Sequence, residues 1–149
     1  MWRLRRKRRV YRKRASTVTK HYVEHKEQAR ELTLARLAHF NEHYNFSWNR
    51  VAIRNQRRCW GSCSSQKNLN FNYKILFLPE HLRDYIIVHE LCHLEEMNHG
   101  KEFWKLVEEK VPNYKECVAE LKEVDMRGHS VQKLVQLNAE VKPVLELPV

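Results

Sequence analysis

The run His89-Glu90-Leu91-Cys92-His93 sets two imidazoles four residues apart, with a carboxylate beside the first. On a helix, four residues make just over one turn, so both rings leave the same face and can share one ion. Glu90 then stands where it can take a proton from a water held at that ion. His99 follows after five more residues and offers a third imidazole, with Glu95 and Glu96 as the alternative third donors. Three neutral imidazoles leave a fourth coordination position open, the arrangement of a catalytic zinc and not of a closed structural site. The residues therefore read as a site for one Zn2+ per chain, with His89, His93 and His99 as ligands and Glu90 as general base. The chemistry this implies is hydrolysis of an amide bond.

Such a site needs a rigid support. Pro79 and Glu80 open a helix, since proline suits the first turn and an acid suits the positive end of the helix dipole. The helix is expected to run to about Met97 and is apolar nearly all round through Tyr85-Ile86-Ile87-Val88, which belongs in a core. Upstream, Thr17 to Tyr44 reads as one amphipathic helix, with Leu34, Leu37 and Tyr44 at helical spacing, and Asn45 to Asn49 break it. Val51 to Arg54, Arg58 to Cys63 and Leu69 to Leu78 are rich in aromatic and β-branched residues. They predict three short antiparallel strands, with a polar turn at Ser64 to Asn68. Helices around Phe103 to Val107 and on to about Asp125 follow, broken near Pro112, with Gly128 as a stop and a short helix around Val131, Leu134 and Val135. The expected class is α+β, with the N-terminal helix, the sheet, the buried active-site helix and C-terminal helices in that order. The expected division is a basic flexible tail at 1–16, one domain over 17–128, and a C-terminal helix and tail at 129–149.

Three segments in this order carry a family resemblance: W-G-S-C at residues 60–63, L-N-F-N-Y at 69–73, and D-Y-I-I-V-H-E-L-C-H-L-E-E-M-N-H-G-K-E-F-W at 84–104. Together they closely resemble the YgjP-like family of zincin metallopeptidases, from about residue 30 to residue 123. The family is similar in plan to SprT-type and WLM-type proteases. The resemblance implies a zincin-like fold, a peptide or protein substrate, zinc on His89, His93 and His99, and Glu90 as base. The histidine spacing also matches H-E-x-x-H-x-x-G-x-x-H, but Glu96 stands at the glycine position. The bend that brings His99 round is therefore expected near Asn98, which tolerates left-handed geometry.

Other residues admit two readings each. Trp60, Gly61, Ser62 and Cys63 line a substrate cleft or form a packed strand with a close glycine contact. Tyr73, Tyr114 and His129 are candidates to stabilise the transition state. Phe103 and Trp104 read as packing residues. Cys92 points off the chelating face and reads as core. Cys59 and Cys63, if on one strand, are about 13 Å apart and too far for a disulfide.

The 149 residues suffice for one domain with a real core. No apolar run is long enough to cross a membrane, and no apolar segment follows the cationic N-terminus, so a cytoplasmic protein with reduced cysteines is expected. The net charge of +10 is concentrated: Arg3, Arg5, Arg6, Lys7, Arg8, Arg9, Arg12, Lys13 and Arg14 supply nine, leaving +1 for everything after. Such a run contacts nucleic acid without reading sequence, or serves as a solvated leader or a nuclear or organellar address. Two rival functions remain at this level. One is a nucleic-acid-associated protein with structural zinc, and the other a hydrolase of a non-peptide substrate.

Overall fold

A computed structural model of the chain describes residues 17–124, and side chains from Lys20 onward. The expected tail at 1–16 with its nine cations, the stop at Gly128, His129 and the helix around Val131 all lie outside the described residues. Helix α1 spans Thr17–Tyr44, strand β1 Arg50–Arg54, β2 Gly61–Cys63, β3 Asn68–Asn72, and helices α2, α3 and α4 Glu80–Cys92, Lys101–Lys110 and Tyr114–Glu123. No helix here is long and apolar enough to cross a membrane.

Helix α1 has the predicted bounds but a different buried stripe. Ala29, Thr33, Leu37 and Phe40 face inward, whereas Leu34 is exposed. Steps of four, four and three residues follow one face of a 3.6-residue period, and Leu34 lies about 100° off it. Asn45 ends the helix in the left-handed region, at φ 54°. Arg36 on α1 makes a bidentate pair with Asp84 on α2, donating from Nε to Oδ1 at 2.8 Å and from the terminal nitrogen to Oδ2 at 2.6 Å. This pair sets the two longest helices against each other.

The sheet departs from expectation. Its order is β1-β3-β2, with β1 parallel to β3 and only β2 antiparallel to it. Residues 55–60 carry the chain past the end of the central position, so β2 returns on the far edge and a hairpin brings β3 between the other two. Asn72 fixes this crossing. Its buried amide donates to Gln56 O at 2.8 Å and Cys59 O at 3.3 Å, and its backbone N–H donates to Trp60 O. Asn72 also ends β3, because its side-chain oxygen accepts from Lys74 N and starts a 3-10 helix over Tyr73–Phe77. The predicted strand to Leu78 therefore stops at residue 72.

Helix α2 starts where Pro79 and Glu80 predict but stops at Cys92, five residues short of expectation. A helix continued to His99 would carry that residue about 15 Å along the axis from His89 and off its face. Instead the chain folds back through a turn, with Leu94, Glu95 and Glu96 N–H donating to Leu91 O, Cys92 O and Cys92 O. Asn98 does not have positive φ, since Asn45 and Lys67 alone do among the described non-glycine residues. The reversal is thus made by ordinary right-handed turn geometry directly after His93. The core lies between α1, the inner sheet face and α2, closed by Phe103, Val107 and Cys117 from α3 and α4.

Candidate metal centre

Helix α2 supplies His89, its C-cap residue is His93, and the loop before α3 supplies His99, two residues ahead of Lys101. Their Nε2 atoms form a near-equilateral triangle, with sides of 3.2, 3.1 and 3.1 Å. They are the one group of three or more potential metal donors found together among the described residues. Three nitrogens at about 2.0–2.1 Å from one tetrahedral ion lie about 3.3 Å apart, so the triangle fits a zinc-sized ion. The outer nitrogens point the same way. His93 Nδ1 faces Glu96 O at 2.9 Å, and a carbonyl only accepts, so this nitrogen carries the proton and Nε2 presents a lone pair. His89 Nδ1 lies 3.1 Å from the Tyr85 hydroxyl, which suits the same tautomer. Burial is the first cause holding both imidazoles neutral, followed for His89 by the two neighbouring histidines, which bring it down to about 3. Converging lone pairs without protons repel one another, and a cation at their centre removes that repulsion.

Glu90 is buried at 6% exposure. Burial alone pushes its carboxyl up to about 8, so the group is a base of near-neutral strength. Its place depends on Gly61. A Cβ on Gly61 would stand 2.7 Å from Glu90 Cγ and 3.0 Å from Oε1, closer than atoms approach. Gly61 has no positive φ, so the demand for glycine here is steric. The W-G-S-C segment thus includes a close contact with the carboxylate. Cys59 and Cys63 thiols are raised by burial and then by the charge of Glu90, which places both near it. Gly61 and Cys63 pair with Phe71 and Leu69 on the inner face of the sheet, whereas Ser62 pairs with Asn70 on the outer face and accepts from its amide at 3.3 Å. Ser62 therefore points to the opposite face from Gly61 and Glu90.

Phe103 is the residue that sequence reasoning undervalued. Its ring stacks on His93 at 4.4 Å and meets His89 and His99 edge-on, each at 4.9 Å. It stands four residues after His99, one helical turn, and that spacing was the available signal. Trp104 lies 6.0 Å from His89 and 5.9 Å from His99 and stacks on Tyr114, so Tyr114 reaches the centre through Trp104. Tyr73 is elsewhere. It packs against His21, Tyr22 and Phe77, with its hydroxyl buried and unpartnered and no ring contact with the three imidazoles. As the first residue of the 3-10 helix it is turned toward α1. Cys92 is fully buried, as expected of a core residue, and Cys59 and Cys63 are free thiols.

A family model described as YgjP-like, metallopeptidase domain, matches residues 3–124. Two solved structures share the fold. The metallopeptidase zymogen of Pyrococcus abyssi abylysin is 24% identical, over 66% of this chain and 99% of that one, with a TM-score of 0.57. The metallopeptidase zymogen of Methanocaldococcus jannaschii jannalysin is 25% identical, over 64% of this chain and 94% of that one, with a TM-score of 0.51. No curated protein matches.

Proposed function

The chain belongs to the YgjP-like metallopeptidase family, and from that premise we propose that His89, His93 and His99 hold one zinc ion while Glu90 is the general base of peptide hydrolysis. A peptidase acts on peptide or protein, so the substrate class follows from the family. The observation that carries the residue assignment is the triangle of Nε2 atoms, with Glu90 next in the chain to His89 and its buried side chain seated against Gly61.

Zinc at this centre would supply Lewis acidity to a water and to the substrate carbonyl. Glu90 takes the water's proton on a carboxylate oxygen and returns it to the leaving nitrogen. The Tyr85 hydroxyl and the Glu96 carbonyl fix the rings of His89 and His93 through their Nδ1 atoms. Phe103 holds all three rings in mutual orientation and keeps water from their inner side. Tyr114, beside Trp104, is the better placed of the two described candidates to meet developing charge. The N-terminal cations are a proposed sequence-independent contact to nucleic acid.

Metal analysis of the purified chain, run beside cleavage of a proteome-derived peptide library, tests this reading. We expect one zinc per chain, and cleavage that disappears in Glu90→Gln. Replacing His99 by Ala should strip most of the metal, since two imidazoles make a poor site. Full zinc occupancy in that variant would move the third ligand to Glu95 or Glu96.

A further inference from the structure

No acidic residue occurs between Glu42 and Glu80. That stretch builds the whole sheet and supplies six cations: Arg50, Arg54, Arg57, Arg58, Lys67 and Lys74. Residues 80–124, by contrast, carry eleven acids against six cations. The positive charge is therefore segregated onto the sheet even though the body as a whole is near neutral. All but Lys74 of the six are exposed, and none has a carboxylate partner among the described residues.

Strand alternation sorts these groups. Arg50 pairs with Asn68, Ala52 with Asn70, and Ser62 with Asn70, so Arg50, Arg54, Asn68, Asn70 and Ser62 share the outer face. Arg57 and Arg58 are exposed on the crossover loop, whose Gln56 and Cys59 carbonyls accept from the Asn72 amide at the end of this face. Ala52 is the only apolar strand residue on this face, and Trp60, just before β2, is partly buried and packs against the core. Arg50 and Arg54 are about 13 Å apart along β1, too far to share one small anion. The face suits an extended polyanion. Arginine forks, amides and a hydroxyl are the groups that contact phosphates and sugars. A protein partner would instead call for an apolar centre, which the face does not offer.

We propose that the outer face of the sheet, with the loop at Arg57 and Arg58, binds the phosphate backbone of a nucleic acid without reading its sequence. The surface is separate from the hydrolytic centre, because Gly61 and Glu90 lie against the opposite face. Its residues are distinct in sequence from the cations of residues 1–14.

The test is anisotropy of a labelled single-stranded DNA 20-mer against the full chain over a salt series. A polyglutamate peptide of equal length serves as the rival polyanion. Replacing Arg50, Arg54, Arg57 and Arg58 together by Gln should lower the magnitude of the salt slope by about 3, at about 0.7 for each phosphate that is no longer neutralised. The same four positions replaced by Lys should keep most of that slope. The double variant R50Q/R54Q should keep its zinc content and peptide cleavage within about twofold, reporting an intact fold. An unchanged slope in the Gln variant overturns the proposal and leaves any binding to residues 1–14. Equal losses in the Lys and Gln variants overturn it too, as does polyglutamate binding as tightly as DNA.

Discussion

The two faces of one small sheet are made from adjacent residues and are chemically opposite. Val51, Ile53, Leu69, Phe71, Gly61 and Cys63 look inward, and Arg50, Arg54, Asn68, Asn70 and Ser62 look outward. The inner face is dry, and there it raises a carboxyl to about 8 and helps enclose neutral imidazoles. The outer face leaves its charges in water, where they are screened by salt. The lesson is that burial, and not residue type alone, separates reactive polar groups from merely charged ones. Glu90 differs from the exposed glutamates of α3 and α4 by its surroundings. A substitution facing inward should therefore alter rate, and one facing outward should not.

The largest expected effect is that of Glu90→Gln. The amide cannot accept the proton, so kcat should fall by about 10²- to 10⁴-fold while zinc content and melting temperature hold. Activity within tenfold of the parent would remove Glu90 from the role of base. Next comes Gly61→Ala. Its methyl would stand 2.7 Å from Glu90 Cγ, so the Glu90 side chain must shift, and misplacement by about 1 Å can lower kcat about 10²-fold. Zinc should stay bound, because no histidine is touched. The same change at Gly100 is the control, since a Cβ there meets nothing within 4 Å. A smaller loss is expected for Tyr85→Phe, which removes the hydroxyl facing His89 Nδ1. Zinc affinity or activity should drop about tenfold, measured by competition with a chelator and by cleavage rate.

Much of the centre was legible because local spacing encodes it. His89 and His93 share a helix face by arithmetic, and the bounds of α1 follow from its start-to-stop pattern. The third vertex was legible in identity but not in path, because the turn after His93 uses ordinary dihedrals with no glycine to announce it. The sheet was half legible. Period-2 alternation tells which residues share a face, but strand neighbours depend on a long-range tie, here Asn72 to Gln56 and Cys59, which no pattern in the sequence marks. Leu34 misled for a related reason, since a leucine and a buried Thr33 exchange the roles their polarity suggests. The spacing of Phe103 from His99 signals one of its ring contacts, whereas those with His89 and His93 follow only from the turn that brings the three imidazoles together.

The smallest effect is the sharpest test of the comparison. Ser62 is the next residue after Gly61, in the same three-residue strand, and the four-residue motif gives no reason to treat them differently. Their faces do. Gly61 meets the Glu90 carboxylate, whereas Ser62 Oγ accepts one long hydrogen bond from Asn70 in a half-exposed setting. Removing a bond of that kind changes stability by about 0.5 kcal/mol or less, because water replaces the missing partner. Ser62→Ala should therefore leave kcat, KM and zinc content within about twofold of the parent, beside a loss of about 10²-fold for Gly61→Ala. Steady-state kinetics of the two variants on one peptide decides the matter. If Ser62→Ala lowers kcat tenfold or more, its hydroxyl reaches the substrate. The strand then presents both faces to the cleft, and the division between a reactive inner face and an inert outer one fails.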